Sequence, residues 1–479
     1  MTAQTILPAN TLSSGYDVAN SLRLNSADSP YMHKVKDSND EINTFTLSAW
    51  VKRSKLGATQ RVISHMTTSF ANFFYFRFES TDQLTFASEN TGNHNAQYKT
   101  NRLFRDVSAW YHIVARINTT ASGGSRIRIY VNGVQETSFA TSTEPDQNST
   151  FSMGTTSDPI VVGGLYGVGY GISSGNSSEH YGGYIAELVV CEGQSLAPTS
   201  FGEFDSDSGI WKPKDVSGLT FGNNGFYLDF EDSSNLGNDV NGGTDLTEVN
   251  IAATDQSTDT CTNNFATLNP LFGGHSQYAT FTEGNLKVTG NNNSNAGCNL
   301  NSTLAPSSGK WYMEFKAIDI QGASYPGVGV IMEDDVFVSL GQVGGNPNSV
   351  SYRAGGTILS DGGVTATENA YTDNAIVSVA LDLDNGAVYF ANDDDYQANG
   401  DPTSGSSRTG SLYNFTASEK SYFFAITAYQ ATSIVSANFG SPDYAISSGN
   451  ADANGHGNFE YAVPSGYFAL CTKNLAEFG

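Results

Sequence analysis

Apolar and polar residues alternate in short stretches along most of the chain, and turn-forming residues separate these stretches. Because successive side chains of a β-strand point to opposite faces, an apolar residue at every second position predicts one buried face per strand. The period of two, repeated with turn signals between stretches, predicts antiparallel β-sandwiches. One example is "FTLSAWV", whose apolar face would carry Phe45, Leu47, Ala49 and Val51.

The stretch "WYHIVARINTTASGGSRIRIYVNGVQ" contains two such strands and a turn signal. Asn132-Gly133 can supply the two positive φ angles of a type I′ turn. If Val131 pairs with Val134 across this turn, Glu136 would fall on the apolar face, so we expect pairing to stop or bulge there. His112 alternates with the apolar face of its strand, and we expect it to be exposed.

The bulk composition fits two β-domains better than helices. The chain has 479 residues, 38% hydrophobic and 12% aromatic residues, only 15% charged residues and 50 glycines. A chain of this length usually builds more than one core. We predict an all-β protein of two antiparallel β-sandwiches, at 1–205 and 266–479, with a turn-rich ordered connector at 206–265. The connector should be ordered because three aromatic residues in it need burial, namely Trp211, Phe226 and Tyr227.

The second half contains another hairpin signal in "VSVALDLDNGAVYFAND". If Asn385-Gly386 forms the turn, Asp382 and Tyr389 share one face. The opposite, apolar face would then carry Leu381, Leu383, Val388 and Phe390.

Charge and cysteine content exclude some partners. The formal net charge is −25, so nucleic acids and anionic membranes would be repelled, and we expect neither as a partner. We see no signal peptide and no apolar run long enough to span a bilayer. The cysteines are widely spaced and form no CxxC motif; Cys261 and Cys298 could pair, but we expect free thiols without an export signal.

Two families are similar to different parts of the chain. "FTLSAWVKRSK", "WYHIVARINTT", "RIRIYVNGVQ" and "GGYIAELVVCEGQSLAPTSFGEFD" resemble a concanavalin A-like jelly roll of the laminin-G and pentraxin type, over roughly 19–205. "GKWYMEFK", "VSVALDLDNGAVYFAND" and "VSANFGSPDY" resemble a SPRY domain, over about 307–445. The resemblance implies an N-terminal jelly roll and a C-terminal SPRY-like sandwich.

The combination of the two domains, with "TNNFATLNPL" between them and "PSGYFALCTKNL" near the end, is similar to structural proteins of tailed phages, especially marine and cyanobacterial ones. This resemblance implies a virion protein assembled in the bacterial cytoplasm, as a tail fibre, tail tip or capsid-surface decoration. It implies other virion proteins and a host surface glycan as partners. A homo-oligomer is expected, with a trimer as the plausible unit for a fibre-like position.

The loop "YGVGYGISSGNSSEHYGGY" is the candidate sugar-binding segment. Sugar rings stack on aromatic side chains, while polar groups bind the hydroxyls. The tyrosines could instead pack on neighbouring loops or on a partner subunit. The candidate ligand-binding residues are Tyr166, Tyr170, Glu179, His180 and Tyr181.

We expect no cofactor, with calcium as the one possible exception. Oxygen-rich loops occur at 231–245 and 392–401, and the second carries the candidate metal ligands Asp393, Asp394 and Asp395. Neither loop has the EF-hand spacing. The histidines form no zinc motif.

We also expect no enzyme activity. A retaining glucanase of this fold needs a pair of carboxylates about 5 Å apart, carried by a Glu-x-Asp-x-x-Glu strand, and the sequence has none. "GISSG" matches a nucleophile pattern but no amphipathic helix follows it. Two alternatives remain open, a purely structural virion protein that contacts other virion subunits and a secreted bacterial glycan-active enzyme.

Overall fold

The structure is a computed structural model that describes residues 15–36, 42–67, 72–90, 93–151, 158–165, 179–271, 278–291, 299–336, 341–418, 420–429 and 431–479. The chain divides into two compact units, the first spanning 12–262 and the second containing 263–479. The described residues are nearly all in strands, turns and loops, which confirms the predicted all-β class. No helix in these residues is long and apolar enough to cross a membrane.

Two antiparallel sheets build the first unit. The strands of sheet I are β1 Ser21–Leu24, β3 Thr44–Arg53, β8 Trp110–Asn118, β9 Ile127–Val131, β10 Val134–Gln135, β13 Gly183–Glu192, β16 Phe226–Leu228 and β18 Gln256–Ser257. Their order is β10-β9-β8-β3-β13-β1-β18, and β16 pairs with β13.

Sheet II faces sheet I across the core. Its strands are β2 Tyr31–Lys34, β4 Gln60–Met66, β5 Asn72–Phe78, β6 Gln83–Asn90, β7 Asn93–Leu103, β11 Phe139–Thr143, β12 Ile160–Val162 and β17 Thr247–Val249. Their order is β11-β7-β6-β5-β4-β12-β2-β17. Strands β14 Gly202–Phe204 and β15 Trp211–Pro213 form a separate two-stranded sheet.

The alternation in the sequence decides which side chains fill this core. In β3, the four residues predicted to share a face all lie in the core cluster between the sheets, together with Phe74, Phe76 and Phe86 of sheet II. The other face of sheet I is also covered, because Trp50 and Tyr184 pack there with Trp211. Strand β3 is therefore buried on both sides.

The turn at Asn132-Gly133 has the predicted geometry. Both φ angles are positive, 48° and 76°, and Val131 pairs with Val134. Glycine is required at 133 because a Cβ there would also collide with the indole of Trp211. The strand ends after Gln135, which confirms the expected stop at Glu136.

The segment predicted as a connector lies within the first unit up to residue 262. It supplies β16 to sheet I, beside β13, and β17 to sheet II, beside β2. The three aromatic side chains expected to need burial are all buried: Trp211, Phe226 and Tyr227. Strands this short carry too few residues for an alternating pattern to reveal their pairing.

The second unit is also a sandwich. Its larger sheet, sheet III, contains β19 Ala279–Thr282, β20 Lys287–Gly290, β22 Lys310–Asp319, β27 Ile376–Asp382, β28 Ala387–Asn392, β29 Asp395–Tyr396, β30 Tyr413–Asn414, β32 Ile434–Asn438 and β33 Phe468–Ala469. Sheet IV contains β21 Asn299–Asn301, β23 Gly327–Met332, β24 Ser349–Arg353, β25 Thr357–Ser360, β26 Gly363–Thr367 and β31 Tyr422–Thr427. The helix α1, Thr472–Phe478, follows β33.

The β27–β28 hairpin has the predicted faces but a longer loop than the Asn-Gly signal suggests. Asp382 pairs with Ala387, so four residues separate the strands. The Asp382 carboxylate accepts hydrogen bonds from the backbone and side-chain amides of Asn385, at 2.9 and 2.8 Å. Tyr389 packs in a separate cluster on the opposite side from Leu381 and Phe390, as expected.

Candidate functional site

The described end of the tyrosine-rich loop, Glu179 to Tyr181, returns to the first unit beside β4. Glu179 Oε2 accepts a hydrogen bond from Arg61 Nε at 2.5 Å, and the backbone oxygen of Glu179 accepts from Arg61 N at 3.0 Å. At the other end, Ser64 Oγ donates to the backbone oxygen of Gly164 at 2.7 Å. Both described ends of the loop are thus attached to β4.

Two of the five candidate ligand-binding residues lie inside the protein. Tyr181 is 0% exposed, and its hydroxyl donates to the backbone oxygen of Lys52 at 3.1 Å. His180 is 3% exposed, with Nδ1 3.1 Å from the carbonyl oxygen of Pro30, and burial lowers its pKa. Both side chains are buried and each already has a hydrogen-bond partner inside the protein, so neither is assigned to a ligand. Tyr166 and Tyr170 lie outside the described residues.

Glu179 instead points to a neighbouring group of charged and aromatic side chains on sheet II. In β5, Phe74, Phe76 and Phe78 face the core, so Phe73, Tyr75 and Arg77 occupy the other side, here called the outer face of sheet II. Phe73 and Arg77 are partly exposed. The outer face of sheet II is where the loop ends and the charged residues meet.

Tyr75 is held between aromatic and cationic neighbours. Its ring stacks on Phe73, with centroids 5.3 Å apart and planes at 12°. The guanidinium carbons of Arg77 and Arg61 lie 4.1 and 4.9 Å from its centroid, within the range of cation–π attraction. These neighbours leave Tyr75 only 6% exposed, and burial raises the pKa of its hydroxyl.

The two guanidinium groups are paired with carboxylates. Arg61 Nε bonds Glu179, and Arg77 Nε donates to Glu79 Oε1 at 3.0 Å. Burial lowers the pKa of Arg61, and the charge of Glu179 opposes that shift. Arg61 Nη1 is buried and has no hydrogen-bond partner.

The cross-strand register aligns a row of cations on this face. Lys99 of β7 pairs with Thr85 of β6, Thr85 pairs with Arg77, and Arg77 pairs with Arg61. We call these four residues the cation row. Thr85 is fully buried, and its hydroxyl, like Arg61 Nη1, has no partner.

Partly exposed rings continue the face on the side of β2. Tyr31 lies 5.8 Å from His33 and 6.0 Å from His180, measured between ring centroids. Tyr31 and His33 are both partly exposed. The outer face of sheet II therefore presents rings, guanidinium groups and carboxylates together, which is a combination that can hold a polyhydroxylated ligand.

The strand "FFYFRFE" contains the signal that could have located this face. Its alternation places Phe73, Tyr75 and Arg77 on the side away from the core. The contribution of Arg61 could not be read from the sequence, because a register shift between Arg61 and Ile63 interrupts the alternation in β4.

The expectation that His112 is exposed is wrong. The ring is buried between two indoles, 4.6 Å from Trp50 and 5.9 Å from Trp211. Trp211 Nε1 donates to His112 Nδ1 at 2.9 Å, so Nε2–H donates to Ser48 Oγ at 2.8 Å. Burial lowers the pKa of His112 to about 3, so the ring is neutral and structural.

The candidate calcium ligands form a tight turn in the second unit. Asp393 and Asp394 have positive φ angles of 47° and 71° between β28 and β29. Asp393 Oδ1 accepts hydrogen bonds from Ile376 N at 2.8 Å and from the Tyr461 hydroxyl at 3.3 Å. Asp395, like the other two, is exposed. No group of three or more acidic, histidine or cysteine residues suited to a metal occurs in the described part of the chain. Calcium binding stays a prediction.

Comparison with known proteins identifies the fold of the first unit. Residues 27–190 match the family described as the concanavalin A-like lectin/glucanases superfamily. This part of the chain is similar to concanavalin A-like domains of the laminin-G type. The match spans about a third of the chain and does not cover the second unit. No curated protein matches the sequence.

Three solved structures are similar to parts of the chain at low sequence identity. Laminin-G domains LG4-5 of the mouse laminin α1 chain are 8% identical, cover 91% of this chain and 92% of their own, and have a TM-score of 0.29. The SAP-like pentraxin of Limulus polyphemus is 13% identical, covers 45% and 94%, and has a TM-score of 0.29. The SPRY domain of human HERC1 is 13% identical, covers 36% and 96%, and has a TM-score of 0.27. No residue role is carried over from these structures.

Proposed function

We propose that this protein binds carbohydrate through the outer face of sheet II. The observation that carries the proposal is the stacked pair Phe73 and Tyr75, flanked by the guanidinium groups of Arg61 and Arg77, in a domain that matches a lectin and glucanase superfamily. Aromatic rings bind the C–H faces of sugars, and paired guanidinium and carboxylate groups bind hydroxyls as donors and acceptors.

The finer proposal is that the protein is a surface component of a tailed-phage virion and that its ligand is a host surface polysaccharide. Its support is the sequence resemblance carried by "TNNFATLNPL" and "PSGYFALCTKNL" together with the two-domain order. Antibody labelling of intact particles tests this position. Labelled particles are expected, and particles without this chain would contradict the virion part while leaving carbohydrate binding untouched.

The proposed role is binding without hydrolysis. A single site of this kind holds a polysaccharide weakly, and repetition on a particle or in a homo-oligomer such as a trimer raises avidity by about 10² to 10⁴. Release of reducing ends from the bound polysaccharide would contradict this part of the proposal.

A double substitution tests the binding face. Phe73→Ala with Tyr31→Ala removes two partly exposed rings, and binding of the purified protein to host polysaccharide should fall about tenfold or more. The matched control is Tyr325→Ala, which removes a 42% exposed ring in the second unit and should leave binding unchanged. Equal binding by all three proteins would exclude this face.

A further inference from the structure

We infer that the carbohydrate held on the outer face of sheet II is acidic, and that the cation row binds its carboxylate or sulfate groups. The inference rests on the proposed function and names the class of its ligand. Its basis is the alignment of Arg61, Arg77 and Lys99 around Thr85, together with two buried polar groups in the same row that have no partner.

The register sets the size of the row. Neighbouring strands lie about 4.8 Å apart, so the three steps from Lys99 to Arg61 span on the order of 14 Å across β7, β6, β5 and β4. A row of this length runs across the strands rather than along one of them. It can therefore contact several groups of an extended polymer.

Two buried polar groups of the cation row have no hydrogen-bond partner within the described part of the protein. Arg61 is 4% exposed, and its Nη1 donor has no acceptor. The hydroxyl of Thr85, two strands away, also has no partner. Buried polar groups in folded proteins almost always have a partner, and a bound water or ligand group can supply the missing one where neighbouring side chains move. The side chains of the row that are already partly exposed are Arg77 and Lys99.

The row offers mainly donors. Each guanidinium donates to its carboxylate through Nε, to Glu179 from Arg61 and to Glu79 from Arg77. The Nη groups of Arg77 find no acceptor among the described residues, and Lys99 has no carboxylate partner there. A donor-rich row is matched by an acceptor-rich ligand, and carboxylate and sulfate are the acceptors that guanidinium groups bind best.

The net charge around the cation row agrees with an acidic ligand. The whole chain carries a formal charge of −25, so a polyanion is repelled by most of the surface. The cation row has three cations near two carboxylates, which leaves one excess positive charge. At physiological salt, screening limits electrostatic interactions to about 8 Å, so the groups in contact decide binding rather than the distant negative charges.

Three polymers with one backbone test the inference. The full chain is titrated with dextran, carboxymethyl dextran and dextran sulfate, which separates the sugar backbone from carboxylate and from sulfate. We expect at least one charged dextran to bind about tenfold more tightly than dextran, because charge-assisted hydrogen bonds are the stronger ones. The charged polymer that binds more tightly identifies which of the two acidic groups the row prefers.

The variants Arg77→Gln and Lys99→Gln should each weaken binding of the charged polymer about tenfold while binding of dextran is unchanged. Both side chains are partly exposed and neither belongs to the Arg61–Glu179 pair, so these variants keep that pair; an unchanged unfolding temperature verifies their fold. The control is Arg128→Gln, on β9 of sheet I, which should have no effect.

Three outcomes overturn the inference and are distinguishable. Equal binding of all three dextrans, or binding of the neutral polymer alone, contradicts the acidic class but keeps carbohydrate binding. Failure to bind any dextran, together with failure to bind host polysaccharide, contradicts the proposed function as well. Loss of charged-polymer binding in the Arg128→Gln control as much as in the row variants would also overturn it, since the attraction would then be unspecific.

Discussion

Replacing Glu187 with glutamine is expected to make the stability of the first unit less dependent on pH. Glu187 lies in β13 where the register with β3 shifts, and its φ angle is 49°. Its Oε2 accepts hydrogen bonds from the hydroxyls of Tyr227 at 2.8 Å and Tyr16 at 3.3 Å. Burial, followed by the nearby charge of Asp229, raises the pKa of Glu187 to about 8.

The size of the effect follows from the shift. The ordinary pKa is 4.5 and the folded value is about 8, so the difference is roughly 3.5 units. At 1.36 kcal/mol per unit this corresponds to about 5 kcal/mol. Because the folded value is the higher one, this stability is fully present below pH 4.5 and is lost as the pH rises through 8. Glutamine stays neutral and can still accept hydrogen bonds from both hydroxyls. The Glu187→Gln variant should therefore keep this stability as the pH rises.

Urea unfolding of both proteins at pH 5 and pH 9, followed by tryptophan fluorescence, measures the effect. Three of the four tryptophans, Trp50, Trp110 and Trp211, lie in the first unit, so the signal reports mainly on it. Between these pH values the wild type should lose several kcal/mol more than the variant. Equal losses of unfolding free energy by the wild type and Glu187→Gln would refute the reasoning. The control Glu203→Gln, at an exposed position, should lose as much unfolding free energy as the wild type.

Three further predictions concern packing in the first unit and the reactivity of the thiols. Gly133→Ala should cost about 2–4 kcal/mol of unfolding free energy, because φ is positive and the new methyl group meets Trp211; an unchanged denaturation midpoint would contradict this. Asp259→Ala should cost about 3–5 kcal/mol, because it removes the carboxylate that lies 2.7 Å from the buried ammonium of Lys52; a loss below about 1 kcal/mol would be inconsistent with a stabilising ion pair. Burial raises the pKa of the free thiols of Cys191, Cys261 and Cys471. A thiol reagent should therefore modify them only after unfolding, and rapid modification of the folded protein would contradict this prediction.

The sequence was sufficient to predict the class of fold and the faces of the longer strands. Strands β3 and β8, with ten and nine residues, carry enough alternating positions to separate core from surface. The Asn132-Gly133 dipeptide is a strong signal for a tight turn. The order of strands in each sheet was not predictable, since it depends on which edges pair across long stretches of chain. Strand β17, for example, pairs with β2 more than 200 residues earlier.

The candidate site was only partly predictable for the same physical reason. Burial depends on what covers a residue, and alternation shows only which side of a strand the residue occupies. His112 lies on the predicted face but is covered by Trp211 from a distant segment, and Tyr181 turns into the core although its neighbours suggest an exposed loop. The meeting of Arg61, Arg77 and Lys99 depends on the register of four strands, which no local pattern encodes.

Side-chain footprinting with a carbene reagent, with and without host polysaccharide, tests most directly whether the outer face of sheet II is the binding face. Phe73, Tyr31 and His33 are partly exposed and should be labelled in the free protein. Bound polysaccharide should reduce labelling at these residues and leave Tyr325 in the second unit unchanged. Protection at Tyr325 with undiminished labelling of Phe73 and Tyr31 would contradict carbohydrate binding by this face.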